Sequence, residues 1–436
     1  MSKFNRLIVL SCIALCGQNL CAQSSLSSLD DLFQLAEENS RSIQSYRTGK
    51  EAADEALKAA RSLRMPDISV SASASYLGNG KLWDRDFSNG TKISMPHFGN
   101  NFALEAQQVV YAGGAISSRI EIAELEQMLA ELDWQKNRQE IRFLLVGYYL
   151  DLYKLNNQAQ VLQHNLSLTD QVIARMKARR EQGTVLKNDI TRYELQKEDL
   201  QLQLTQVQDE CKILNHRLTT TLHLPEGTVI VPDSTLATQV VETLTEESWQ
   251  NRASQQNLDL QQAQTSIELS EQRIKAERSE RLPQVSLMAA DHLDGPITIE
   301  VPVLDNNFNY WYVGVGVTYK LSSLYKNGHK LKQARLNARR ARETKQLVEE
   351  QVENAVQAGY THFQVALTEL RTKEKSVQLA HENYDLVNRR YEQELALLTD
   401  MLDASNTKLS AELDLANARI NVIYNYYYLK YLTHTL

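Results

Sequence analysis

The chain has 436 residues, of which 23% are charged, and a formal net charge of −7. This acidic balance gives no support to nucleic-acid binding. The sequence holds 16 glycines and 7 prolines, and no proline lies between Pro96 and Pro225 or after Pro302. Such long stretches without a helix-breaking residue predict very long helices.

The chain begins with a predicted secretory signal peptide at residues 1–22. Lys3 and Arg6 precede the apolar run LIVLSCIALC, and LCA before Gln23 offers a small-residue cleavage site. The run is too short to cross a bilayer as a helix. Cleavage would leave Cys211 as the last cysteine, so no disulfide could form within the chain. Lipidation of a cysteine in this segment is the alternative.

After this segment the sequence contains an internal repeat. RMPDISV, from residue 64, returns as RLPQVSL from residue 281, and RREQGTVLKND, from residue 179, returns as RYEQELALLTD from residue 390. We therefore predict a first repeat at 23–222 and a second repeat at 248–436. The inter-repeat linker at 223–247 carries Pro, Gly and Asp as turn signals.

Each repeat has the same predicted order: a helix, two strands and a long helical hairpin. The first helix covers residues 41–63 in one repeat and 248–281 in the other. A helix of about 65 residues follows each strand pair, and after a turn a helix of about 37 residues returns. The strands alternate in polarity, so that one face should carry the apolar residues Ile68, Val70, Ala72, Ala74, Tyr76, Trp311, Val313, Val315 and Val317.

Four strands of this length can cross an outer membrane when tilted, but they are too few to close a barrel. Because lipid does not tolerate open strand edges, we expect the chain to oligomerise. Three copies supplying twelve strands are the simplest closed solution, with the serine-lined face of the strand at residue 67 towards a watery lumen.

The duplicated halves, the proline-led strands, the turn RYEQE…TDMLDA and the tail LANARINVIYN resemble the TolC-like outer membrane efflux family. The resemblance covers essentially the whole mature chain. It implies a mixed α and β fold that forms, as a homotrimer, a 12-stranded transmembrane β-barrel continuous with a long periplasmic α-helical barrel. It further implies an outer-membrane channel subunit of a tripartite efflux or secretion system, with a periplasmic adaptor protein, an inner-membrane pump and outer-membrane lipid as partners.

The resemblance also implies a channel aperture. Asp400 and Asp403 match an aspartate pair that faces the axis at the periplasmic tip, and Tyr391 matches a tyrosine that helps to hold the tip shut. Three copies would gather six carboxylates, which favour counter-cations. An arginine that the family often carries four residues before the first aspartate is Ala396 here, so we expect a different lock. From the residues alone, both aspartates could simply favour the positive end of a helix dipole, with Thr399 as N-cap, and the two roles can hold at once.

The two turns between the long and the returning helices are the expected binding site for the adaptor. The alternative for their apolar residues is ordinary packing between helices, and for Asp189 a surface charge beside Arg192. The candidate residues are Gly183, Thr184, Val185, Leu186, Asp189, Glu394, Leu395, Ala396, Leu397 and Leu398.

The sequence offers no catalytic or metal-binding pattern. Its 9 histidines lack metal-ligand spacing, HExxH is absent, and no Ser/His/Asp or Cys/His group stands out. We therefore expect no enzyme activity, metal or cofactor, and a passive exit duct for substrates driven from elsewhere. The alternatives are a type I protein-secretion outlet and, from another class, a periplasmic coiled-coil scaffold without a pore.

Overall fold

The computed structural model describes residues 28–225, 227–233, 241–300, 303–393 and 395–436. The predicted signal peptide lies outside these residues. In chain order the elements are α1 (Leu29–Asn39), α2 (Arg41–Ser62), β1 (Asp67–Tyr76), β2 (Gly80–Leu82), β3 (Thr91–Ile93), β4 (Phe98–Tyr111), α3 (Ala115–Glu181), α4 (Lys187–Thr221), α5 (Glu246–Gln256), α6 (Leu258–Ser279), β5 (Gln284–Gly295), β6 (Phe308–Thr318), α7 (Ser323–Lys326), α8 (Gly328–Glu392) and α9 (Leu398–Leu432).

The backbone forms two compact units. The turn unit holds the turns at the ends of α3 and α8, and the sheet unit holds the strands. Among the described residues, the turn unit comprises those up to Ser40 and those within Leu144–Glu242 and Val365–Tyr424, and the sheet unit comprises those within Arg41–Phe143, Thr243–Gln364 and Asn425–Leu436.

Helices of matching length recur along the chain. The helices α1 and α5 have 11 residues each, α2 and α6 have 22, and α4 and α9 have 35. The long helices α3 and α8 have 67 and 65 residues, which confirms their predicted length. The boundaries of the two repeats, with a linker at 223–247, stay a prediction.

The prediction of a single helix at 248–281 is wrong, because α5 and α6 are separated at Asn257. The backbone of Asn257 is extended, with φ −65° and ψ 124°. Its side-chain oxygen accepts hydrogen bonds from the amides of Asp259 and Leu260, at 2.9 and 3.1 Å. An N-cap of this kind satisfies the free amides at a helix start. Ser40 makes the same extended break between α2 and α1, a helix that the sequence did not predict.

The four long strands form one antiparallel sheet in the order β1-β4-β5-β6. The register pairs Val70 with Leu104, Leu104 with Asp291 and Asp291 with Trp311, so these residues share one face. The predicted alternation is confirmed. We call this side the apolar face and the opposite side, which carries the serines of β1, the polar face. The short hairpin β2-β3 was not predicted.

Aromatic side chains pack against one another in the helical part of the sheet unit. Trp249 is fully buried and meets Tyr426 edge to face, with ring centroids 6.2 Å apart. The ring of Tyr431 stacks on Phe143 at 4.6 Å. These two tyrosines of α9 are half-buried and pack against other aromatic rings. Among the described residues, no helix is both long and apolar enough to span a membrane.

Candidate functional site

The candidate site is the pair of turns that end α3 and α8 in the turn unit. Gly183 follows α3 with φ +80°, a left-handed conformation that glycine adopts without strain. The amide of Gly183 donates to the carbonyl of Arg180 at 2.9 Å, and the amide of Thr184 donates to that of Arg179 at 3.2 Å. This pair of bonds is a Schellman motif, which satisfies the last carbonyls of a helix.

The second turn repeats one of the two hydrogen bonds that close the first. The amide of Leu395 donates to the carbonyl of Arg390 at 2.8 Å, as Thr184 does to Arg179. Glu394, a predicted contact residue at the position that matches Gly183, lies outside the described residues. One matching hydrogen bond therefore closes the end of each long helix.

The apolar residues of the turns divide into an inner and an outer set. Val185 and Leu398 are half-buried and pack against one core, as the packing alternative predicts. Leu186, Leu395 and Leu397 instead point outward, with exposed fractions of 71%, 71% and 69%. The core beneath the turns consists of Val172, Ile173, Met176, Ile190 and Tyr193.

Asp400 caps the start of α9. This helix begins at Leu398, so Thr399 is its second residue and the expectation of Thr399 as N-cap is wrong. The side-chain oxygen Oδ2 of Asp400 accepts a hydrogen bond from the amide of Leu397 at 3.1 Å. This is the half of a capping box in which the third helical residue reaches back to the N-cap amide. Asp403, one turn later, is exposed.

Tyr391 lies on the last turn of α8 and is half-buried. Burial raises the pKa of its hydroxyl, the nearby charge of Asp189 raises it further, and Arg179 opposes both. Tyr391 therefore stays protonated at neutral pH and can donate a hydrogen bond. The structure thus brings Asp189, from the first turn, into the electrostatic surroundings of the predicted aperture tyrosine.

An ion pair that the sequence did not predict joins the two helical hairpins near these turns. Arg175 on α3 places Nη1 3.2 Å from Oε1 of Glu392 on α8. Asn388 donates to the same oxygen at 3.3 Å. The pair lines a cleft of about 520 Å³ between α3 and α8, whose lining also includes Met401 of α9. A hydrogen bond also joins the two hairpins: Nε2 of Gln196 on α4 donates to Oδ1 of Asn406 on α9, at 2.9 Å.

Within the part of the chain that the structure describes, no group of acidic, histidine or cysteine side chains could hold a metal ion. The site consists of exposed leucines, two neighbouring aspartates, and an ion pair and hydrogen bonds between helices. Such a surface can bind a protein partner or filter ions.

The sequence profile described as outer membrane efflux protein matches residues 32–222 and 249–430. The chain belongs to this family. Membership confirms the resemblance seen in the sequence, the function of an outer-membrane channel for efflux, and the location in the outer membrane with an extension into the periplasm. The family comprises channels, so the expectation that the chain is not an enzyme is also confirmed.

Individual relatives are distant in sequence. TolC of Escherichia coli K12 is 23% identical over 436 residues, an alignment that covers 94% of this chain and 83% of that protein. A match of 24% identity to TolC of Salmonella enteritidis covers 42% of this chain and 38% of that protein. The crystal structure of VceC from Vibrio cholerae superposes with a TM-score of 0.77 at 17% identity, covering 93% of this chain and 95% of that one. The fold is therefore shared at low sequence identity.

Proposed function

We propose that three copies of this chain close a twelve-stranded barrel in the outer membrane. The observation that carries the proposal is the described four-stranded sheet, in which β1 and β6 each pair on one side only. Its apolar face is bare as well, with Val70 79% and Trp311 74% exposed. Lipid accepts an apolar face but no open strand edge. Pairing β6 of one copy with β1 of the next satisfies both conditions, and the polar face then lines the lumen.

The turns are the proposed docking site for a periplasmic adaptor, which would link the channel to an inner-membrane pump. Leu186 and Leu397 occupy matching positions before α4 and α9, and both are exposed to nearly the same degree. Large apolar side chains at an otherwise polar end are typical of a protein contact. The trimer would offer six such turns, of two related kinds.

The proposed aperture is formed by the carboxylates of Asp400 and Asp403 from three copies. Both side chains are exposed in the single chain, as an ion filter requires. A ring of like charges favours cations and can bind a multivalent cation that blocks passage. Tyr391 would stabilise the narrow state through its protonated hydroxyl. Passage is passive in this scheme, and the pump supplies the energy and selects the substrate.

The first experiment is single-channel recording of the purified protein in a planar bilayer. We expect a small, cation-selective conductance that a trivalent cation, added on the side of the turns, blocks. The double variant Asp400→Ala plus Asp403→Ala should conduct better and lose the block. An unchanged pore in the double variant would remove both aspartates from the aperture, and a folded protein without any conductance would contradict the channel itself.

A further inference from the structure

Four aromatic rings form a ladder on the polar face of the sheet, at the end where the loop joins β5 to β6. The ring centroids of Phe308 and Tyr310 are 5.4 Å apart, those of Tyr310 and His292 5.1 Å, and those of His292 and Tyr312 6.1 Å. The angles between neighbouring planes are 24°, 15° and 11°. The contacts of His292 with Tyr310 and Tyr312 cross from β5 to β6 and stabilise the sheet, and the four rings together form a row on this face.

The ladder stops at Tyr312, and the surface beyond it is open. Gly314 is the next residue of β6 on the same face, and a Cβ atom built there would meet no heavy atom within 4 Å. A Cβ atom at Gly316 would lie 2.6 Å from Cε of Met288. Met288 pairs with Gly314 but leans over Gly316. The side chain that could cover Gly314 is therefore turned away from it.

The polar face carries acidic side chains, one of which, Glu105, lies with Oε1 3.9 Å from Nε2 of His292. The register places Glu105, Ala290 and Tyr312 in one row across β4, β5 and β6, so a carboxylate shares the row with the last ring. Asp294 accepts hydrogen bonds from Asn101 and, at 3.5 Å, from the hydroxyl of Tyr310. Along β1, β4, β5 and β6, all of them described, the polar face carries three carboxylates and neither lysine nor arginine: Asp67, Glu105 and Asp294.

We propose that the open surface over Gly314, beside the ring of Tyr312, is a binding subsite for a planar aromatic cation. A planar ring placed there continues the ladder by one step, and stacking on aromatic side chains is a sequence-tolerant source of affinity for flat π-systems. The carboxylate of Glu105 and the electron-rich ring face of Tyr312 both favour a positive charge. The inference rests on the proposed function, because the polar face must line the lumen for cargo to reach it.

The test uses the full-length protein in a planar bilayer, with ethidium as a planar aromatic monocation and tetraethylammonium as a non-planar one. Tyr312→Ala removes the last ring, and Gly314→Leu fills the opening. We expect the residence time of each ethidium block to fall about tenfold in both variants, while block by tetraethylammonium is unchanged.

Two control variants keep the subsite. Tyr312→Phe retains the ring without its hydroxyl, and Val315→Leu places the same side chain as Gly314→Leu on the neighbouring residue of β6 but on the apolar face. Both should keep the ethidium residence time of the parent protein, and equal open-channel conductance shows that each variant is folded. Equal residence times in the parent, Tyr312→Ala and Gly314→Leu would overturn the subsite and leave the channel intact. Absence of conductance in every protein would overturn the proposed channel, and the subsite with it.

Discussion

The carboxylate of Asp400 accepts a hydrogen bond from the backbone amide of Leu397, 3.1 Å away, at the first turn of α9. The sequence indicated helix capping and an aperture as two roles that this aspartate could combine, and the bond shows that capping takes place. One oxygen of the carboxylate is engaged with the backbone, and the side chain as a whole is exposed. Capping and ion filtering are therefore compatible.

We expect the two aspartates to differ when each is replaced alone. Asp400→Ala should lower the free energy of unfolding by about 0.5 to 1 kcal/mol, because it removes a cap and a favourable charge at a helix N-terminus. Asp403→Ala should leave stability almost unchanged, and both should weaken cation selectivity. Thermal unfolding in detergent and reversal potentials under a salt gradient measure the two effects. Equal loss of stability in both variants would contradict the capping role.

Where the family often carries an arginine that locks the tip, this chain has Ala396. We expect the ion pair between Arg175 and Glu392 to take the place of that lock. If the two hairpins separate when the tip opens, Arg175→Ala should favour the open state by up to about fivefold, which is the usual limit for an exposed pair. Single-channel open probability measures this change.

The chain contains a matched control for that pair. Lys177 and Glu194 are 2.9 Å apart, and their side chains are 58% and 48% exposed, against 57% and 50% for Arg175 and Glu392. The control pair joins α3 to α4 within one hairpin, so Lys177→Ala should not change the open probability. An equal change of open probability in both variants would show that the loss of a positive charge causes it, and that the ion pair between the hairpins does not.

Charged substitutions should separate the two faces of the sheet. Val70→Lys places an ammonium on the apolar face, and burial of that charge in lipid should cost the barrel about 2 to 4 kcal/mol near the bilayer midplane. Ser71→Lys, the neighbouring substitution on the polar face, should fold normally and reduce cation selectivity. Trimer yield after membrane extraction and denaturant midpoints compare the two. A tolerated Val70→Lys variant would argue against a lipid-facing position.

Stability should also depend on pH through His434. Its Nδ1 accepts a hydrogen bond from the amide of Leu258 at 3.4 Å, which requires a neutral ring. Burial lowers the pKa of His434; Asp259 opposes this effect and Lys136 adds to it. The unfolded chain therefore binds a proton at higher pH than the folded one, so this stability is complete above about pH 6.5 and declines as the pH falls towards the lowered value.

The variant His434→Gln keeps an acceptor that does not titrate. Between about pH 7.5 and pH 5.5, its Tm should fall less than that of the parent protein, because other titrating groups are common to both. Parallel Tm curves for the two proteins would contradict a contribution from His434.

Much of the fold follows from periodicity that can be read locally. The alternation of DISVSASASYL places Val70 and Ser71 on opposite faces, and the register agrees. The long tracts without proline predicted α3 and α8 within a few residues. The break at Asn257 escaped prediction, because the residues on both sides favour a helix and one asparagine side chain decides the geometry.

The candidate site could be predicted only in part. The repeated motif located both turns and the two aspartates, since these are local features. The pair of Arg175 and Glu392 joins residues far apart in the chain, and although Glu392 lies within the repeated motif, Arg175 lies outside it. The open surface over Gly314 depends on the rotamer of Met288. Such contacts are set by tertiary packing.

The matched helix lengths of the two halves have a consequence for symmetry. Leu186 and Leu397 are equivalent by duplication, so the proposed trimer would present six similar apolar turns with approximate sixfold symmetry. The residue that corresponds to Asp403 in the first half is Arg192, opposite in charge. Around the axis, the acidic pair of Asp400 and Asp403 would therefore alternate with the pair of Asp189 and Arg192, which has no net charge. A partner could bind with sixfold symmetry while the passing ion encounters a strictly threefold field.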